Sequence, residues 1–295
     1  MSPYMASLRH YSAPSPAMDH FQSIPPERRA EPFVKWAGGK KRMLGAFDSL
    51  FPSHFETYHE PFLGGGAVFL YLAHVGRIQN SLLSDSNEEL MHLYRVIRDD
   101  AEHLIAELAQ YPYEKDFYYA TRALNPQELA PVERAARMLY LNRTCFNGLY
   151  RVNRKGQFNV PIGRYERPTI CNASNLRNVS ALLQGVELQA WDFGAVLDVA
   201  RPGDFVYLDP PYQPISAVQT SGSSQESFSD SQHGKLFEIF RVLDRRGCMV
   251  MLSTASTPLI RQLYSRRYDV RSVQYPRNAS RRTGRRQSEL VIRNY

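Results

Sequence analysis

Cysteine is scarce: Cys145, Cys171 and Cys248 lie far apart and form no CxxC pair. A disulfide framework and a four-cysteine zinc site are both excluded. The eight histidines show no HExxH or other metal-ligand spacing, so no metal is expected. No apolar run approaches a membrane span; the longest, around Ala67 to Val75, is about half of what is needed. A charged start followed by an apolar stretch is missing too, so no secretory signal is read. These absences predict a cytoplasmic protein with no membrane partner. Two nucleotide signatures also fail. In AGGKK a phosphate loop would need glycine at Val34 and serine or threonine at Lys41. After GGG, Ala67 and Phe69 leave GxGxxG incomplete.

What is present is ample core material: 295 residues, 43% hydrophobic and 12% aromatic. A net charge of +7 is compatible with a polyanionic partner without proving one. Residues 1–30, rich in Ser, Pro and His, read as a flexible leader. Thr57–Glu60 predicts a strand, Ala67–Ala73 a helix, and Ser81–Asp85 a buried strand ending on a carboxylate. Ser86 and Glu89 have capping-box spacing before the helical apolar face of Leu90, Leu93, Tyr94 and Ile97. Helical patterns continue to about residue 142, followed by a polar, aromatic, basic block. In it LYRV and QFNV flank the turn-rich NRKG, which predicts a small hairpin. The strand–helix rhythm returns with VELQAWD, DFVYLD, a helix at Leu236–Leu243, and CMVMLS. VRSVQY and ELVIRNY should close the sheet as an antiparallel pair. The expected fold is therefore α/β: a Rossmann-like, mostly parallel sheet with a C-terminal antiparallel hairpin. Residues 31–88 and 178–295 would form it, and 89–177 would be an inserted helical and hairpin module.

In such sheets ligands sit beyond the carboxyl ends of the strands. Gly64, Gly65 and Gly66 stand where the first strand hands over to the first helix. About twenty residues on, Asp85 ends the next strand, where a carboxylate takes ribose hydroxyls. Together they favour a nucleoside-containing ligand, and without phosphate signatures S-adenosylmethionine is the common choice. Asp209, Pro210, Pro211 and Tyr212 follow the strand FVYL directly. Prolines fix an extended backbone and leave carbonyls as acceptors; Asp209 adds a carboxylate and Tyr212 a flat face. This set suits a planar ring bearing an exocyclic amine. If Asp209 and the Pro210 carbonyl accept the amine's hydrogens, its lone pair localises and can attack an activated methyl.

On these residues the chain resembles the Dam family of DNA adenine-N6 methyltransferases, in its alpha-class order. The resemblance runs from about Pro32 to the C-terminus through FVKWAGGK, EPFLGGGAVFL, LSDSN, the block from Leu141 to Tyr165, and DPPY. It implies a methyl-donor pocket of Trp36, Lys40, Phe62, Asp85 and Asp209. It also implies DNA contacts at Lys35, Asn147, Leu149, Arg151, Pro161, Arg164 and Tyr165, and a GATC target. Phe146 stands where relatives commonly carry an aromatic hydroxyl. A base inside a duplex is out of reach and must be extruded. Arg151 could grip a guanine edge, Asn147 offers an amide, and Phe146 can wedge or stack. Arg281 and Arg282 lie in an arginine-rich stretch suited to phosphates, and the serine-rich loop 216–229 could act as a lid. The expected partner is double-stranded DNA, with a cognate restriction endonuclease left open. The expected setting is a monomer at the nucleoid. The rival readings are a cytosine-N4 methyltransferase, or a non-catalytic DNA-binding regulator on the same scaffold.

Overall fold

The computed structural model describes residues 16–211, 228–275 and 287–295. Seven strands form one sheet: β1 Thr57–Glu60, β2 Asn80–Ser84, β3 Glu187–Gln189, β4 Phe205–Leu208, β5 Met249–Thr254, β6 Asp269–Tyr275 and β7 Gln287–Arg293. Their order is β3-β2-β1-β4-β5-β7-β6. The first five are parallel, and β7 runs antiparallel to both β5 and β6.

The apolar runs form strands because both faces of the sheet are covered. Along β4, Phe205 and Tyr207 join one core while Val206 and Leu208 join the other. Met251 alternates with Val250 and Leu252 in the same way, and Val291 with Leu290 and Ile292. That is the two-residue period of a pleated strand with oil on each side. One core is built with helices α1 Pro16–Ser23, α2 Leu44–Phe47, α3 Ala67–His74, α4 Glu88–Leu108, α5 Lys115–Ala123, α6 Pro131–Thr144 and α7 Ala173–Leu183. The other lies under α8 Val196–Val199, α9 Asp230–Arg246 and α10 Pro258–Tyr264.

The structure departs from the sequence-based expectation in four places. The leader is not flexible throughout, because α1 docks: Met18 and Phe21 are buried, and the Phe21 ring meets Tyr71 edge-on at 5.1 Å. Residues 1–15 lie outside the described residues. The cap of α4 is Asn87, not Ser86. Its side chain accepts from the N–H of Leu90, because Asp85 holds the Asn87 N–H and sets the entry to the helix. The expected hairpin is reduced to a turn with one bridge, Val152 to Phe158, closed by Asn153 accepting from Lys155 and Gln157. A cut at 177/178 would divide α7, which runs unbroken and packs on α4 and α3.

Candidate active site and DNA-facing surface

From β1 the chain passes through α3 to β2 on one side, whereas β4 pairs with β1 on the other. The crevice at the carboxyl ends of β1 and β4 is thus a topological switch point. The PFLGGG loop follows β1 into it, and Asp209 follows β4.

Gly64 and Gly66 both have left-handed backbone, with φ of 50° and 66°. A Cβ at Gly64 would stand 2.8 Å from the Trp36 ring, and one at Gly66 2.7 Å from the Tyr94 hydroxyl. The loop is therefore tied between two aromatic side chains. Tyr94 donates to the Gly64 carbonyl at 3.1 Å. The Gly64 N–H donates to Asp85 at 3.0 Å, and the Asn87 N–H to the other Asp85 oxygen at 2.9 Å. Burial raises the Asp85 carboxyl above its ordinary range, and these two N–H groups pull it partly back. Each carboxylate oxygen keeps a lone pair for a hydroxyl. Phe62 stacks on Phe193 at 5.1 Å and meets Phe228 edge-on at 5.9 Å. Trp36 leans instead towards Tyr150, with ring centres 5.7 Å apart.

Asp209 keeps 16% of its side-chain surface open, whereas Lys40 keeps 3%. The Lys40 ammonium lies 2.5 Å from Asp209 Oδ1, which also accepts from the Ser253 hydroxyl at 3.0 Å. Tyr207 backs Ser253, with oxygens 2.7 Å apart. Burial pushes the Asp209 carboxyl up, against the pull of Lys40 and Ser253. Burial works downward on Lys40, but Asp209 and Glu289 outweigh it and the ammonium is held above its ordinary range. Glu60, at the end of β1, accepts from Tyr58 and the Phe69 N–H through one oxygen. Burial pushes its pKa up to about 8, so near neutral pH the protonated acid predominates. Pro210 is buried beside Asp209, and Tyr212 lies outside the described residues.

A second group of predicted residues gathers on one surface. Cys145 bridges to Ile162, and the Phe146 N–H donates to the Pro161 carbonyl at 2.9 Å. Phe146, Asn147, Leu149, Pro161 and Arg164 are exposed there, Phe146 by 48%. Asn147 is left-handed, with φ of 55°, which turns the loop tightly. Tyr165 donates to the Cys145 carbonyl at 3.1 Å, and Lys35 sits over its ring at 3.9 Å. Buried Asn142 accepts from the Lys35 N–H at 2.7 Å and donates to the carbonyls of Lys35 and Gly148. Arg151 is not a free fork: Asn159 takes its Nε at 2.6 Å and one terminal nitrogen at 3.3 Å. Arg281, Arg282 and most of the serine-rich loop lie outside the described residues.

The structure thus ties Gly64 to Asp85 and Lys40 to Asp209 at the ends of neighbouring strands, packs Phe62 on Phe193, and turns Trp36 towards Tyr150. Sequence reasoning missed Ser253, Glu289, Glu60 and the aromatic partners Phe193 and Phe228. Ser253 was within reach: β4 and β5 pair Leu208 with Leu252, so the next residues are neighbours.

An open, mostly parallel sheet with a glycine turn and a strand-end carboxylate at its switch point is the Rossmann-like arrangement that holds nucleoside-containing ligands. The chain belongs to the D12 class of N6 adenine-specific DNA methyltransferases, whose family model matches residues 36–279. It is 37% identical over 287 residues to the type II methyltransferase M.MjaIII of Methanocaldococcus jannaschii, covering 90% of this chain and 99% of that one. It is 38% identical over 275 residues to M1.LlaDCHI of Lactococcus lactis, covering 90% and 95%. With the DNA adenine methylase of Escherichia coli it shares 32% over 239 residues, covering 79% and 84%. No helix among the described residues is long and apolar enough to cross a membrane.

Proposed function

We propose that the chain reads GATC in duplex DNA, everts the adenine into the β1/β4 crevice, and methylates N6 from S-adenosylmethionine. The observation that carries this is Asp209: a partly open carboxylate at the end of a buried strand, held rigid by Lys40 and Ser253. There it can accept a hydrogen from the target amine and localise its lone pair, with the Pro210 carbonyl taking the other hydrogen. Tyr212 would stack on the base. S-adenosylmethionine, when bound, supplies a methyl on a positively charged sulfur. The residues present fit such a donor. Asp85 is anchored with lone pairs to spare for ribose hydroxyls, and Phe62 with Phe193 gives an adenine a flat wall.

The exposed surface around Phe146 would meet the DNA. Phe146 would enter the stack and Asn147, Leu149 and Pro161 would line the base edges; Arg151 would offer a base the terminal nitrogen that Asn159 leaves open, and Tyr165 would add a DNA contact beside Lys35. Lys35 and Arg164, with Arg281 and Arg282, would add charge against phosphates. The segment between α4 and α7 would thus serve as the recognition module. GATC rests on the resemblance of the block from Leu141 to Tyr165.

Mixed-sequence DNA treated with the protein and donor, then mapped for modified bases, should carry N6-methyladenine at GATC and little elsewhere. Methylation centred on another sequence would remove GATC, and N4-methylcytosine would remove the adenine. Asp209→Asn should slow transfer by roughly a hundredfold to a thousandfold while leaving the chain folded.

A further inference from the structure

Arg151 and Asn159 face each other across the turn that Asn153 closes. The Asn159 N–H donates to the Arg151 carbonyl at 3.1 Å, so the two backbones are joined before the side chains meet. Asn159 is the fixed member of the pair. Its neighbours Phe158 and Val160 are both buried, and the Val160 carbonyl accepts from the Tyr118 hydroxyl at 2.9 Å and from Arg122 at 3.2 Å. A guanidinium is planar and carries five N–H groups, so each of two edges can grip a pair of acceptors. Asn159 takes one edge whole: its Oδ1 accepts from Nε at 2.6 Å and its carbonyl from Nη2 at 3.3 Å. What stays open is the outer edge, made of Nη1 and the second hydrogen of Nη2. That edge has the fork geometry that meets O6 and N7 of a guanine. A long side chain left free would lose rotamer freedom on reaching a base, and Asn159 removes that freedom beforehand. The turn does not need the guanidinium for its own closure, which the Val152–Phe158 bridge and the Asn153 bonds already provide.

Resting on the reading of this surface as the DNA-recognition face, we propose that Asn159 is a positioning residue for sequence specificity. It holds the inner edge of Arg151 so that the outer edge meets a guanine in the major groove. Asn159 itself touches no base, and the pair keeps the geometry it has in the free protein when DNA arrives.

The test measures discrimination: kcat/KM on duplexes carrying the mapped site, against kcat/KM on duplexes with one base pair of that site replaced, position by position. Arg151→Ala should cut discrimination by roughly tenfold or more at one G·C pair. Asn159→Ala should cut it at the same pair by roughly fivefold or more and leave the other pairs as they were. In the double variant the loss should equal that of Arg151→Ala alone, because Asn159 then has nothing to hold. Asn159→Asp keeps an acceptor for Nε and adds a negative charge. It should retain discrimination while raising KM on every duplex alike, since the new charge faces phosphates. A residue that only holds the turn would lower the melting temperature and slow every duplex by one factor, with discrimination intact. That pattern in Asn159→Ala, an Arg151→Ala loss that singles out no pair, or losses that multiply in the double variant would each overturn the proposal. Asn159→Ser, too short to reach Nε, takes the place of Asn159→Ala if the latter does not fold. If the unaltered protein methylates no adenine, the functional reading falls. The same position-by-position comparison, made by fluorescence anisotropy of bound duplexes, then still decides the role of Asn159, and equal binding to every duplex would end it.

Discussion

Gly64 sits where conformation, packing and chemistry meet. Its φ of 50° suits glycine, and a Cβ there would press to 2.8 Å of the Trp36 ring. Gly64→Ala must either twist the backbone back or push Trp36 aside. A left-handed alanine costs roughly 1–2 kcal/mol before any clash. Because the same N–H anchors Asp85, the strain falls on the carboxylate proposed to hold the donor's ribose. Calorimetry should show S-adenosylmethionine binding weakened by about tenfold or more, with melting only slightly lowered. Unchanged affinity would separate Asp85 from the donor. Gly64, Asp85 and Asp209 were legible because each follows a recognisable strand in a short motif. Glu289 was not: it lies far along the chain from Lys40, and within ELVIRNY it looks like one more charged residue on an edge strand. Only the placing of β7 beside β5 carries it to Lys40.

At the scale of elements, the strands were legible because burial on two faces forces continuous apolar runs, as in FVYL and MVML. Helix α1 was not, since Met18 and Phe21 are its only buried positions among Pro, Asp, His and Gln. Two apolar residues one turn apart make no period. The turn from Cys145 to Tyr150 is the opposite case: short, irregular and tightly tied. Asn142 staples it to the segment of Lys35, and the Phe146 N–H is fixed on Pro161. A large apolar ring held open to solvent on so rigid a turn gains nothing for the fold. Phe146→Ala should therefore shift stability by no more than about 0.5 kcal/mol. It should, however, reduce the fluorescence rise of 2-aminopurine placed at the target position when DNA binds. A full rise with normal kinetics would take Phe146 out of base eversion. Asn142→Ala should behave in reverse. It leaves the part-buried N–H of Lys35 without its acceptor, at a cost of about 1 kcal/mol that lowers the melting temperature.

The whole molecule joins groups whose burial opposes charge in both directions, and this fixes how its stability must vary with pH. Burial lowers the pKa of His59, His74 and His233 in the fold. For His74 the structure adds a reason, because its Nε2 accepts the Ala30 N–H at 2.6 Å and a proton there would break the bond. As pH falls through the ordinary histidine value of 6.5, the unfolded chain takes up these protons first, so stability drops. Glu60 acts in the other direction. Its pKa rises from 4.5 to about 8, so the fold keeps a proton that the unfolded chain has already shed. That advantage is whole below 4.5 and is lost progressively as pH rises to about 8. The histidines govern the acid limb and Glu60 the neutral to alkaline one, so the melting temperature should peak slightly acid of neutrality. Glu60→Gln offers a neutral side chain of similar shape, whose oxygen can still accept from Tyr58 and Phe69. Its melting temperature should match that of the unaltered protein below about pH 4.5, gain on it steadily between pH 5 and 8, and then hold a constant lead. A pair of parallel melting curves across that range would mean that Glu60 is ionised in the fold, compensated by the Lys40 cluster it adjoins.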